Sequence, residues 1–404
     1  MSSQIERKTT RLDSLYSPKF TGFLADEAAP EGSPFYPNAA HTVQNQKAIA
    51  TRILLNTYLR AMIRTSAPAV SVLIPAYNAE ETLKEALSTI SEQSFADFET
   101  IVVNDGSTDG TADILNSTAE LDDRIRPVHL AHQGLVGALN AGISLCESRY
   151  VARFDADDRA HPDRLSRQVD FLDANADIDA VGSQIRCFPD ERVAKGFRIY
   201  ERWINGLISP EDIAREIYIE SPLVHPSVTI RREVLDRCGG YVDNGWPEDY
   251  DLWLRLHTAG SRFAKIPEAL HEWREGDRRL TRTDSRYSVE NFIRAKTHYL
   301  VQGPLNDSKK VIIWGAGQMG RRVSKHLLRA GVELLAFVDI DPKKIGNTRR
   351  GALIISPEEL PSVAERSDNP LILAAVPSRG ARSLIRENLN GLGWVEGREY
   401  ICVA

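Results

Sequence analysis

Between residues 67 and 160, short apolar runs alternate with helix-period stripes, and each run breaks off into polar residues. Val70–Ile74 (VSVLI) is stopped by Pro75 and reads as a buried strand. Over residues 80–93, Leu83, Ala86, Leu87 and Ile90 recur at i, i+3, i+4 and i+7, the spacing of one helix face. Asn78, with Glu81 three residues on, has the form of a capping box for that helix. A second buried strand, Thr100–Val103, runs into NDGSTDGT, after which another helix begins. Alternation this tight leaves room only for crossover helices between parallel strands, so the chain must build an α/β sheet. In such sheets ligands bind beyond the carboxyl ends of the strands, which marks the polar residues there as candidates.

The next such end carries FDADD, residues 154–158, directly after the strand-like YVARF. Two carboxylates one residue apart repel each other unless a hard cation lies between them. Mg²⁺ in particular takes one or two carboxylates together with substrate phosphates. On its own the pair is equally a solvated acidic loop, and its place at a strand end is what favours a metal. Further on, Glu248 and Asp249 follow Pro247 at the start of a helix carrying Leu252, Trp253, Leu254 and Leu256. A helix N-terminus favours the charged carboxylate, so Asp249 is expected to stay ionised, as a base must be.

Four blocks, VSVLIPAYNAEETLKEAL, IVVNDGSTDGT, YVARFDADD and PEDYDLWLRL, in that order, resemble the inverting family 2 glycosyltransferases over about residues 69–300. The resemblance implies the GT-A nucleotide-diphosphosugar transferase fold for residues 67–300. It implies that Pro75, Tyr77 and Asn78 shape the nucleotide pocket and that Asp105 contacts the base. Asp155 and Asp157 would be the DxD pair, holding ribose and a diphosphate bound to Mg²⁺ or Mn²⁺. Asp249 would be the general base, with Glu248 beside it. In HQGLVGALNAG the resemblance places a helix alongside the nucleotide and gives Asn140 a donor contact; a structural role for Asn140 is the alternative. Arg153, Arg164 and His225 also match residues of bacterial members, Arg153 as a partner of the metal carboxylates. One block departs from the family. In HEWREGDRRLTRTDSRYS, Gly276 stands where a histidine of the diphosphate-closing motif often sits, which leaves Arg274, Arg278 and Arg279 as the expected phosphate clamp.

Residues 301–308 read as a linker, and a second α/β unit over residues 309–404 follows. Its strand Val311–Trp314 leads into GAGQMG, with Gly315, Gly317 and Gly320 opening a helix, and Asp339 comes nineteen residues after the last glycine. That is the spacing of a dinucleotide fingerprint whose acid takes a ribose hydroxyl. The unit resembles the small Rossmann-like nucleotide-binding domain at the front of sugar-modifying dehydratases and sugar acetyltransferases. NAD or a nucleotide sugar is the expected ligand. No YxxxK pair for hydride transfer is present.

Composition narrows the class further. A formal net charge of −6 over 404 residues argues against general nucleic-acid binding. The four cysteines are far apart with no CxxC, which excludes a disulfide scaffold and a structural zinc site and suits a reducing compartment. No run approaches the ~20 apolar residues that span a bilayer, and the stretch MSSQIERKTTRLDS lacks the basic and then apolar regions of a secretory signal. Residues 1–66 read as an extension with a candidate helix over 44–63, and Met62 is a candidate alternative start. The expected protein is therefore a cytoplasmic, metal-dependent, inverting transferase. It would move a sugar from a UDP- or dTDP-sugar to a carbohydrate or lipid-linked acceptor of a bacterial surface polysaccharide, with membrane contact at most peripheral. An NAD-linked sugar-modifying oxidoreductase and a non-catalytic nucleotide-sugar binder are the alternatives.

Overall fold

The alternating runs assemble into two α/β sheets, seen in a computed structural model that describes residues 67–276, 279–306, 309–367 and 370–404. The candidate helix 44–63 and Arg278 lie outside these described residues. The first sheet uses β1 (Val70–Ala76), β2 (Phe98–Asp105), β3 (Ile125–Leu130), β4 (Tyr150–Arg153), β5 (Arg159–Ala160), β6 (Ala180–Phe188), β7 (Thr229–Arg231) and β8 (Phe263–Arg274). Its order is β3-β2-β1-β4-β7-β6-β8-β5. β1 pairs in parallel with both β2 and β4, so the polar turns after all three strands open on one side. Mixed pairing enters only at β7 and β5, where the strands run antiparallel to their neighbours.

β1 continues past Ile74 through Pro75, which pairs with Val103. Its β4 partner stops at Leu73↔Arg153, so the missing proline N–H deletes no bond on that side. The first helix is Leu83–Ser91, shorter than the sequence pattern, with Leu83, Ala86, Leu87 and Ile90 buried as its spacing requires. Asn78 does not cap it. Asn78 has φ 50° and its Oδ1 accepts a bond from the Thr108 N–H at 2.9 Å, because the loops after β1 and β2 need each other's backbone satisfied.

The second sheet uses β9 (Lys310–Trp314), β10 (Glu333–Val338), β11 (Thr348–Arg349), β12 (Ala352–Ile355), β13 (Leu371–Ala374) and β14 (Tyr400–Cys402), in the order β11-β12-β10-β9-β13-β14. All its pairings are parallel except β11 with β12. The expected linker is not a free tether. The helix Val289–Gln302 runs into it, and Leu305 is fully buried with its N–H on the Leu300 carbonyl at 2.8 Å. One apolar cluster passes from Leu73 and Trp253 through Tyr299 and Leu300 to Val311, Leu373 and Val403, so the two sheets share a core. Among the described residues no helix is long and apolar enough to cross a membrane.

Candidate active site

A cavity of about 940 Å³ opens beyond the carboxyl ends of β1, β2 and β4. Pro75, Tyr77, Asn78, Asp105, Asp155, Asp157, Glu248, Asp249 and Arg274 all line it, so residues from five separate sequence blocks meet in one place. Tyr77 leaves half of its side chain exposed there, and its ring stacks on His132 with centroids 4.3 Å apart. His132 carries no signal in the sequence beyond its place before Gly134. Asp105 lines the cavity but is already engaged: Oδ1 accepts from the Gln133 N–H at 2.7 Å and Oδ2 from the Gly134 N–H at 2.9 Å. It thus fixes the start of the helix Gly134–Leu145 against the end of β2.

Asp155, Asp157 and Asp158 bring carboxylate oxygens within 4.8 Å of one another. Their environments differ. Asp158 accepts from the Arg274 backbone N–H at 2.7 Å and from His271 Nε2 at 2.9 Å, so both oxygens face protein. Arg164 stands behind His271, at 3.1 Å from Nδ1, and its Nη2 donates to the Arg153 carbonyl at 2.7 Å. Arg164 is therefore a buried buttress of the acid loop. Asp155 pairs with Arg153, whose guanidinium is buried and whose Nε has no hydrogen-bond partner among the described residues. Asp157 faces the cavity, and burial together with its two acidic neighbours pushes its carboxyl pKa up. An all-oxygen set of crowded carboxylates is the chemistry that a hard divalent cation satisfies. Asp155 and Asp157 are the residues that fit one.

Arg274 does not serve as the free clamp expected of it. Its Nε donates to the Asp157 carbonyl at 2.5 Å and its Nη2 pairs with Glu85, while the guanidinium lies over Phe188. It braces the acid loop instead. Arg279 lines the same cavity over the Trp273 ring, 3.8 Å from its centroid, and pairs with buried Glu275 at 3.2 Å.

Opposite the acid loop, Pro247 ends the approach to the helix Glu248–Thr258. Both oxygens of Glu248 accept the Tyr287 hydroxyl, at 3.0 and 2.8 Å, so this acid is a support for its neighbour. Asp249 accepts from the Tyr250 N–H at 2.7 Å through Oδ1, and among the described residues Oδ2 takes no hydrogen bond. The helix terminus does not hold Asp249 in the ordinary range: burial and the Glu248 charge raise its pKa. A raised base is better matched to accepting a proton near neutrality. Tyr287, like His132, was not readable as a site residue in the sequence.

Asn140 and the four residues expected in the second unit stand elsewhere. Asn140 is not among the residues lining the cavity. Its Nδ2 donates to the Tyr241 carbonyl and its Oδ1 accepts the Tyr241 N–H, both at 2.9 Å, so both ends of the amide are spent on one backbone. The Tyr241 hydroxyl in turn meets His225 Nε2 at 2.6 Å, which places His225 in the cavity wall. In the second unit, Gly315 has φ 116°, and a Cβ at Gly320 would run into the Gly315 carbonyl. Gly317 caps the helix Gln318–Arg329 that follows. Asp339, however, is not poised for a ribose. Oδ2 accepts the Ala316 N–H at 3.1 Å, Oδ1 the Asp341 N–H at 3.0 Å, and Lys344 Nζ lies 3.0 and 3.2 Å from the two oxygens. With its acceptor positions taken, it holds the glycine loop in shape.

Comparisons with known proteins return glycosyltransferases. The model of glycosyl transferase family 2 matches residues 71–239, and a model described as C2185-like, N-terminal, matches residues 307–393. EpsE of Bacillus subtilis, which bears a glycosyltransferase name, is 34% identical over 233 residues, 56% of this chain and 81% of its own length. An uncharacterized glycosyltransferase of Haemophilus influenzae is 32% identical over 213 residues, 51% of this chain and 65% of its own. The amylovoran biosynthesis glycosyltransferase AmsE of Erwinia amylovora is 29% identical over 212 residues, 51% of this chain and 76% of its own. Among solved structures, TarS 1–349 of S. aureus in complex with UDP-GlcNAc is 20% identical, with a TM-score of 0.49 over 64% of this chain and 72% of that one.

Proposed function

The chain belongs to glycosyl transferase family 2, and from that premise we propose an inverting, metal-dependent transfer of a sugar from a UDP- or dTDP-sugar to a carbohydrate or lipid-linked acceptor. The relationship to AmsE, named for amylovoran biosynthesis, supports a bacterial surface polysaccharide as the product. One observation carries the reading. The cavity holds acids at both ends, while four of the five arginines that line it are already committed, Arg153 to Asp155, Arg274 to Glu85, Arg279 to Glu275 and Arg286 to Asp284, with Arg192 the fifth. A nucleoside diphosphate brought here meets carboxylates whose counter-charge is spent, so its own charge calls for a divalent cation.

A bound Mg²⁺ or Mn²⁺ would neutralise the diphosphate and stabilise it as a leaving group. Asp155 and Asp157 would hold that ion, with Asp158, His271 and Arg164 fixing their loop. Pro75, Tyr77 and Asn78 would form the wall for the base, Tyr77 offering a flat ring. Asp249 would take the proton from an acceptor hydroxyl as its oxygen attacks the anomeric carbon. The bonding pair of the departing C–O bond leaves with the nucleoside diphosphate, and a single in-line displacement inverts the carbon. Asp339 being fully engaged disfavours an NAD-linked oxidoreductase. For the second sheet we infer a Rossmann-like module with NAD or a nucleotide sugar at Gly315, Gly317 and Gly320. Four unpaired cysteines and a nucleotide-sugar donor favour a cytoplasmic site of action.

The test is nucleoside diphosphate release from a panel of UDP- and dTDP-sugars with Mn²⁺ or Mg²⁺, together with thermal shifts for each donor. Turnover with at least one donor, lost on chelation of the metal, is expected. No stabilisation and no release by any donor would sink the proposal.

A further inference from the structure

Resting on the transferase reading, we propose that Glu220 binds hydroxyls of a sugar acceptor beside Asp249, and that the second sheet holds Glu220 in place. Glu220 lines the cavity on the Asp249 side, away from Asp155 and Asp157 in the sequence and in no block shared with the family pattern. Its Oε1 accepts the Ser221 N–H at 3.0 Å, and among the described residues Oε2 takes no hydrogen bond. A carboxyl oxygen left open in this way can accept a hydrogen bond from a ligand donor such as a hydroxyl. Tyr200 and Trp273 line the same cavity with ring centroids 6.3 Å apart, Trp273 carrying Arg279 over one of its faces. Aromatic faces for the C–H surface of a sugar, with a carboxylate for its hydroxyls, are what recognition of a pyranose requires. Charge on Glu220 is felt at Asp249 and at Tyr200, which puts it within electrostatic reach of the base.

The segment leading to Glu220 is fastened from behind by the second sheet. Glu216 Oε2 accepts from Arg382 at 2.9 Å and Oε1 from Arg386 at 2.7 Å, both on the helix Ala381–Gly391. Ile219 packs on the apolar cluster of the second sheet. Its carbonyl accepts from Lys296 Nζ at 2.7 Å, and the same ammonium donates to the Val403 carbonyl at 3.1 Å. Burial raises the Glu220 carboxyl above its ordinary range, and the buried Lys296 ammonium offsets part of that rise. Nothing in this arrangement needs the cavity-facing oxygen of Glu220 for packing. On this view Arg382 and Arg386 are positioning residues for the acceptor half of the site.

The experiment uses the full chain with its active donor, Mn²⁺, and octyl glycosides of glucose, galactose, N-acetylglucosamine and rhamnose as acceptor probes. Turnover by the wild type is measured first, since its absence counts against the transferase reading and not against Glu220 alone. Glu220→Gln should raise the acceptor KM tenfold or more, while calorimetry gives a Kd for UDP with Mn²⁺ within twofold of the wild type. The double variant Arg382→Met/Arg386→Met should move the acceptor KM in the same direction by threefold or more, again with the UDP Kd held. If Glu220→Gln does not fold, Glu220→Asp takes its place, because it keeps the charge but withdraws it from the cavity. An acceptor KM within twofold of the wild type overturns the inference, as does a loss of UDP affinity as large as the change in KM. An unmoved KM in the arginine double variant overturns the role given to the second sheet.

Discussion

Replacing Asp249 by Asn should separate chemistry from stability. The new side chain keeps its size, and an amide oxygen can still accept the Tyr250 N–H, so the helix start is undisturbed. What disappears is the capacity to take a proton. A positioned general base contributes about 10²–10⁴ in rate, or ~3–5 kcal/mol of barrier at about 1.36 kcal/mol per decade. Transfer by Asp249→Asn should fall by that factor with donor affinity retained. Stability should move the other way. Burial and the charges of Glu248 and Glu220 raise the Asp249 carboxyl from 3.8 to about 8. Between those values the folded chain holds a proton that the unfolded chain has lost. The contribution to stability is therefore fully present below pH 3.8, falls as pH rises, and levels off above about 8. Asn does not titrate, so the melting temperature of Asp249→Asn relative to wild type should rise with pH across this window. Scanning calorimetry of the ligand-free chains at several pH values, paired with diphosphate release at saturating donor, reads both effects. Activity within tenfold of the wild type, or a melting difference that does not change with pH, would refute the assignment. For the wild type, kcat/KM should climb through an acid limb over the same range.

Asp157→Ala should remove the Mn²⁺-dependent part of UDP binding, because Asp158 faces protein and cannot replace it; calorimetry with and without the metal gives the answer, and unchanged metal dependence would exclude Asp157 as a ligand. Asn140→Ala strips the Tyr241 backbone of both its partners and should cost about 1–3 kcal/mol in urea unfolding. Loss of donor affinity without loss of stability would instead restore a donor contact for Asn140.

The fold was legible where periodicity and strand ends coincide. VSVLI, the stripe Leu83–Ile90 and the run before NDGSTDGT specify a parallel sheet with one open side, and that side is where Asp105, Asp155 and Asp157 stand. Less legible were partners that depend on long-range contact. Arg274 looked like a phosphate clamp because the sequence shows a cation but not Glu85, 189 positions away, that occupies it. Asn140 was ambiguous for the same reason, its partner lying 101 residues on. Asp339 had the correct spacing, yet spacing does not reveal that Lys344 and two backbone N–H groups fill its lone pairs. Glu220 and Tyr287 had no local signal, since each matters only through the cavity they share with Asp249.

PEDYDLWLRL offers two aspartates, and helix geometry decides between them. At 3.6 residues per turn, positions two apart point about 200° away from each other, so Asp249 and Asp251 cannot both face the acceptor. Asp251 is fully buried and accepts from Trp246 Nε1 at 2.7 Å, Tyr299 Oη at 2.9 Å, Asn244 Nδ2 at 3.0 Å and Arg255 Nε at 3.2 Å. It ties the loop before the helix and the helix Val289–Gln302 to one point, and so sets where the neighbouring Asp249 lies. Asp251→Ala leaves those donors and the Arg255 charge without a partner, at a cost of about 3–5 kcal/mol. Its signature should be the reverse of Asp249→Asn. The midpoint of urea unfolding should drop sharply, while the folded fraction below that midpoint keeps a wild-type acid limb in kcat/KM. If Asp251→Ala instead kept its stability and lost the acid limb, the two aspartates would have been assigned the wrong way round.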